Sequence, residues 1–243
     1  MFRFTISHVV AVAGALAASQ CAFAGFYATI PINGSFTGWS TVPVAATNTV
    51  DANAPVNITQ VKVANDSTDL YILLTFASAI TVDDGTSNNQ IYTAINSTNN
   101  SSASGWNVFS LGKIYANTGY EGNFPFTETA ALFNSGGSVT APMTAVPYAP
   151  GSPTTQQEIS IPLSATQTDT SPGGLSGSLF PSGQAFTLAF YNSPSPGGGD
   201  ATFIGPISYT LASAPEPGTL ATIAVGVGLL LMLPRIGRRA SLR

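Results

Sequence analysis

Hydrophobic and polar positions alternate along most of this chain in short blocks, each closed by turn-forming residues. The β-rich runs are Phe26–Ile32, Val56–Ala64, Leu70–Phe76, Gln90–Ile95, Trp106–Tyr115, Gln157–Pro162, Ala185–Tyr191 and Phe203–Leu211. Asn65-Asp66-Ser67-Thr68-Asp69 separates the two strongest runs, so Ile58, Val61 and Val63 are expected beside Tyr71, Leu73 and Thr75 in a hairpin. Asp83-Asp84-Gly85 and Ser195–Asp200 read as loops. Pro142, Pro147, Pro150 and Pro153 make Ala141–Pro153 an expected extended connection and not a strand. Many short strands with this punctuation, and no sustained helical period between residues 25 and 214, predict an all-β fold: one antiparallel, jelly-roll-like β-sandwich.

The pattern changes at both ends. Near the N-terminus, Arg3 precedes the apolar run Val9–Ala18, and Ala22-Phe23-Ala24 has the small-x-small form of a signal-peptidase site. This predicts a signal peptide over residues 1–24 and a mature chain beginning at Gly25. Near the C-terminus, Gly218–Leu233 is an uncharged run of 16 residues. As a helix it would be about 24 Å long, a short span for a hydrocarbon core of about 30 Å. The predicted transmembrane helix is 218–234. Arg235, Arg238, Arg239 and Arg243 follow it and form a cytoplasmic stop. Residues 25–214 are thus the exported domain, and 215–243 a tail.

Pro215-Glu216-Pro217 stands directly before the apolar run. Pro–acid–Pro, a short apolar helix and a terminal arginine cluster together resemble the PEP-CTERM sorting signal over about residues 214–243. The resemblance implies export in a Gram-negative bacterium that makes exopolysaccharide, a transient stage in the inner membrane, and processing by exosortase near Pro215-Glu216-Pro217. Signal peptidase is the partner implied at the other end.

Composition then removes several kinds of chemistry. The one histidine, His8, and the one cysteine, Cys21, both precede Gly25. A mature domain without them has no Ser-His-Asp triad, no cysteine nucleophile, no zinc site of the His/Cys kind and no disulfide. Residues 25–214 carry two lysines, Lys62 and Lys113, against ten acids, a net charge of −8. That charge excludes a nucleic-acid binder and opposes docking on anionic lipid. Glu121 and Glu128 are separated by a Gly- and Pro-containing stretch that fixes no paired-carboxylate geometry, so no enzyme is expected.

Three motifs in order carry a second resemblance. Ile32-Asn33-Gly34-Ser35-Phe36-Thr37-Gly38-Trp39, Val61–Phe76 and Glu158–Ser164 are similar to successive strands of DOMON-like folds and family nine carbohydrate-binding modules. Asn33 stands where that pattern usually has Asp. The resemblance implies a sandwich over about residues 30–211, and implies a buried tryptophan at Trp39; the ligand is left open, because the architecture carries several.

Saccharide recognition needs flat aromatic faces beside hydrogen-bonding side chains. The candidates are Trp106, which opens a strand after a polar run, with Trp39 and Tyr92; Tyr71 is expected in the core. Calcium would need clustered oxygen ligands. Asp83 and Asp84, with Asn88 and Asn89, form one candidate cluster, and Asn65, Asp66 and Asp69 another, although neither has EF-hand spacing and Asp and Asn also favour turns. No obligatory cofactor is expected. The sequence thus points to an exported, surface-sorted structural or adhesive protein of the envelope or exopolysaccharide matrix, with a polysaccharide-binding module as the alternative.

Overall fold

The computed structural model describes residues 23–52, 54, 56–81, 91–97, 153–169, 176–192 and 203–215, and between them the strand segments 106–107, 115–116, 118–121, 129–132, 137–139 and 144–146. Its strands are β1 (Phe23–Ala24), β2 (Val44–Thr47), β3 (Ile58–Asn65), β4 (Asp69–Ile80), β5 (Ile91–Asn96), β6 (Trp106–Asn107), β7 (Tyr115–Ala116) and β8 (Thr118–Glu121). They continue as β9 (Thr129–Leu132), β10 (Gly137–Val139), β11 (Thr144–Val146), β12 (Thr154–Pro162), β13 (Thr166–Asp169), β14 (Ser176–Ser178), β15 (Ala185–Asn192) and β16 (Phe203–Thr210). One short 3-10 helix spans Phe36–Trp39.

Two sheets form an antiparallel sandwich. One has the order β1-β16-β15-β5-β8-β9 and the other β11-β12-β4-β3-β2. The pairing is antiparallel throughout both, except where β1 joins β16 in parallel. The smaller sets β10-β13-β14 and β6-β7 complete the strands. The fold is therefore the all-β antiparallel sandwich that the alternation predicts.

The main core lies between the sheets. Val61 and Val63 of β3, Leu70, Ile72 and Leu74 of β4, and Ile159 and Ile161 of β12 meet Ile95 of β5 and Phe186, Leu188 and Phe190 of β15. Such alternating inward residues supply most of the stabilisation, at about 25 cal/mol per Å² of apolar surface removed from water.

The expected hairpin forms across Asn65–Asp69, but its faces differ from expectation. Val61 pairs with Leu74 and Val63 with Ile72. Tyr71 and Leu73 consequently point away from the main core. They pack with Ile30, Trp39, Val42 and Ala64 in a second cluster, edged by Phe26, Ala28, Ile32 and Phe36. β4 is buried on both faces because the segment from Phe26 to Val42 folds across the back of its sheet.

That layer explains three further departures from the sequence reading. Phe26–Ile32 is not a strand; it makes one isolated parallel bridge, Tyr27 to Asn65. The Phe26 N–H donates to the Tyr209 hydroxyl instead of to a neighbouring strand, which interrupts a ladder. Within the proline-rich stretch Ala141–Pro153, residues 144–146 do pair with Glu158–Ser160, between Pro142 and Pro147, where the prolines do not interrupt the pairing. Trp106–Tyr115 is not one strand but two short ones, β6 and β7, paired antiparallel with each other.

Between β15 and β16 the register shifts, with Leu188 opposite Ile207 and Phe190 opposite Ile204. Gly205 sits in this bulge with a φ of 132°, and a Cβ there would press on Ala189.

Candidate functional site

Three polar networks tie the back layer and the chain ends to the sandwich. The first centres on Glu158, which is fully buried on β12. Its neighbours Gln157 and Ile159 face the main core, so strand alternation turns the Glu158 carboxylate outward, under the segment that crosses the sheet. Oε1 accepts the N–H groups of Asn33 and Gly34, and Oε2 accepts the Trp39 indole N–H at 3.1 Å. Lys62 Nζ donates to the Trp39 carbonyl at 2.8 Å and holds the same corner from β3. Trp39 is 1% exposed. It has no open face for a sugar; it closes the second core, as the fold resemblance implies.

The second network is the turn at Asp66. Asp66 Oδ1 accepts from the Thr68 N–H, the Thr68 hydroxyl and the Asp69 N–H, and Oδ2 accepts from the Tyr71 hydroxyl at 2.7 Å. Burial opposes its ionisation, yet these donors outweigh it and hold the carboxyl well below the usual carboxylate range. Tyr71 is pushed far up by burial, and further by the Asp66 carboxylate. Both Asp66 oxygens are occupied by the turn itself. Asn65 turns inward, and Asp69 accepts from the Thr68 hydroxyl within the same hydrogen-bonded turn.

The third network joins the two ends of the domain. Asn65 is the last inward residue of β3 and is 1% exposed. Its Oδ1 accepts from the Tyr209 hydroxyl at 3.0 Å and from the Ala212 N–H at 2.8 Å, and its Nδ2 donates to the Ala212 carbonyl at 3.0 Å. Its main chain bonds Phe26 and Ala28. Burial pushes Tyr209 up to about 12. Phe23 and Ala24 pair with Tyr209 and Thr210, and a Cβ on Gly25 would collide with the Thr210 carbonyl oxygen.

Beside this third network opens a groove of about 300 Å³, lined by Tyr27, Asn65, Asp66, Ser67, Leu163, Ser182, Leu211 and Ser213. It lies where the chain leaves the sandwich. Ser213, Ala214 and Pro215 are exposed.

Tyr92 is half-buried and stacks on the buried Tyr191 at 5.0 Å between ring centroids, with planes 5° apart. The backbone of Trp106 pairs with Ala116. The side chain of Trp106 lies outside the described residues, as do those of Ala22, Ala24, Glu121 and Glu128 and all of Asp83, Asp84, Glu216, Pro217, Arg235, Arg238, Arg239 and Arg243. Of the predicted aromatic ligand residues whose side chains are described, Trp39 lies in the second core and Tyr92 on the six-stranded sheet, so these two are not brought together. Among the described residues no group of three His, Cys, Asp or Glu side chains stands ready to hold a metal ion, and no helix is long and apolar enough to cross a membrane. Residues 218–234, the predicted helix, lie outside the described residues.

The sequence reading missed Tyr27 and the structural role of Glu158. It placed Asn65 in a turn, whereas the alternation Val61, Val63, Asn65 carries it inward on the core face. That alternation was the available signal.

No family model and no curated protein matches the chain. Among solved structures it is similar to a family 9 carbohydrate-binding module from Caldicellulosiruptor kristjanssonii in complex with cellotriose, at 12% identity and a TM-score of 0.46, covering 79% of this chain and 94% of that one. The corresponding glucose complex is similar at 11% identity and a TM-score of 0.42, covering 79% and 96%.

Proposed function

We propose that this chain is an exported, non-catalytic β-sandwich protein that its C-terminal tail delivers to the cell surface or exopolysaccharide matrix, where it acts structurally or adhesively. The observation that carries the reading is the way the domain ends. Asn65 grips Ala212 through both its N–H and its carbonyl, and the next three residues, Ser213–Pro215, are exposed. Ala212, held by these bonds, is three positions before Pro215. A membrane protease would therefore reach Pro215 without unfolding the sandwich. The signal peptide (1–24), the helix (218–234) and the arginines (235, 238, 239 and 243) supply the itinerary: signal peptidase, the inner membrane, then exosortase.

The test replaces Pro215-Glu216-Pro217 by alanines in the producing bacterium. Unprocessed protein retained in the inner membrane supports the reading; normal processing of that variant removes it.

A second reading, a module that binds extracellular polysaccharide, is favoured by the groove. It has an aromatic residue, Tyr27, beside the hydroxyls of Ser67, Ser182 and Ser213. Titration of the full-length protein, held in detergent, with the host's exopolysaccharide decides it. Saturable binding that Tyr27→Ala abolishes supports the groove as the site, and binding that survives this change places recognition elsewhere. Repeating the titration with added calcium tests the metal expectation.

A further inference from the structure

The bond between Asn65 and Tyr209 sets the two sheets of the sandwich in register. In one sheet its row contains Asn65, Leu70 and Ile161; in the other it contains Tyr209 and Phe186. Four residues along β12 from Ile161 stands Gln157, opposite Leu74. Four residues along β15 from Phe186 stands Phe190, whose partner on β5 is Thr93. Gln157 and Thr93 therefore stand in corresponding rows of the two sheets, four residues from the Asn65–Tyr209 bond.

They also lie on facing strands. β16 packs against both β2 and β3, so counting inward from that edge β15 falls over β3 and β4, and β5 over β4 and β12. Gln157 shares its face with Ile159 and Ile161, and Thr93 shares its face with Ile91 and Ile95, all members of the main core. Each is 1% exposed. Thr93 Oγ1 and Gln157 Oε1 are buried side-chain atoms with no hydrogen-bond partner among the described residues. An unsatisfied buried polar atom costs free energy, and native interiors meet such atoms with protein groups or ordered water.

We propose that Thr93 and Gln157 form an internal hydration site, one water molecule bridging the two sheets in the middle of the core. The water donates to Gln157 Oε1, which only accepts, and exchanges its second bond with the Thr93 hydroxyl, which both donates and accepts. Buried waters of this kind satisfy otherwise orphaned polar groups and are costly to remove. In a mature domain without cysteine the bridge fixes how one sheet sits on the other, a task that disulfides serve in many small exported domains.

Thermal unfolding of the full-length protein in detergent tests this, using Thr93→Val, Gln157→Leu and the double variant. With a shared water, each single change strands the other partner and lowers Tm by about 2–6 °C, and the double variant loses less than the sum. If Thr93→Val melts at or above the wild-type temperature, or if the two losses simply add, the proposal is overturned. Should the variants not fold, a high-resolution crystal structure of the wild-type protein decides: a solvent peak within about 3.2 Å of both Thr93 Oγ1 and Gln157 Oε1 supports the site, and a dry contact there rejects it.

Discussion

Trp39 and Glu158 are 119 residues apart in the chain and 3.1 Å apart in the fold, indole N–H to carboxylate. The bond pins the segment that crosses the back of the five-stranded sheet. Without that segment Tyr71 and Leu73 would face water. Glu158→Ala strands the buried Trp39 indole N–H and takes the acceptor from two part-buried main-chain N–H groups, and should cost about 3–5 kcal/mol; Glu158→Gln keeps one acceptor oxygen and should cost about 1–3 kcal/mol. Urea unfolding at constant m-value measures both. Equal, negligible losses would show that the back layer is held by its apolar contacts alone.

Asp66 makes stability depend on acid. Its folded pKa lies below the ordinary carboxylate value of about 3.9, so the unfolded chain binds the proton more tightly. The contribution is complete above the unfolded value and is shed as pH falls from there towards the folded one. Asp66→Asn preserves the shape of the turn and should remove this group's share of the acid slope, while Tyr71→Phe, which removes one donor, should reduce it. Unfolding midpoints between about pH 5 and pH 2 read the difference.

Tyr209 behaves oppositely. Burial raises it from 10.0 to about 12, so the neutral phenol is favoured in the fold. Its stabilisation is present below the unfolded pKa and is lost as pH rises through the folded one. Tyr209→Phe should weaken the domain by about 1–2 kcal/mol at neutral pH and flatten the stability profile between about pH 10 and pH 12. Asn65→Ala removes the side chain that Tyr209 and Ala212 share as a partner and should cost about 2–4 kcal/mol. Limited proteolysis should then cut near residues 212–215 faster in Asn65→Ala than in wild type.

Gly25 is set against the end of β16 so closely that a side chain meets main-chain oxygen. Gly25→Ala should lower stability by about 1–3 kcal/mol. It should also speed amide exchange at Phe26 and Ala28 and at Tyr209 and Ala212, while leaving the core amides of β4 protected.

Much of the fold was legible because strand alternation reports which face is buried. The runs Leu70–Phe76, Gln157–Pro162 and Ala185–Tyr191 fall inside observed strands, and Val56–Ala64, Gln90–Ile95 and Phe203–Leu211 coincide with strands to within two residues. The faces of Tyr71 and Leu73 were not legible. A strand buried on both sides is apolar on both sides, and periodicity then carries no direction. The segment Phe26–Ile32 reads as a strand by composition, yet its amides are used by Asn65 and a tyrosine hydroxyl from 183 residues away, and no local pattern encodes that. The candidate site was less legible still. Trp39 was flagged for its aromatic face, and its indole N–H proved to be the end that matters. The groove depends on Tyr27, Ser182 and Ser213, which only the closed fold brings together.

Phe26 and Ala212, near the two ends of the domain, are bonded to the same Asn65–Tyr209 pair. In topological terms the ordered chain is a ring with one small gap. Joining residues 25 and 214 by a short linker and opening the chain at another surface loop would reorder the strands without breaking a sheet. For the same reason the whole sandwich can be spliced into a host protein's loop as a pendant, because its two ends leave from one place.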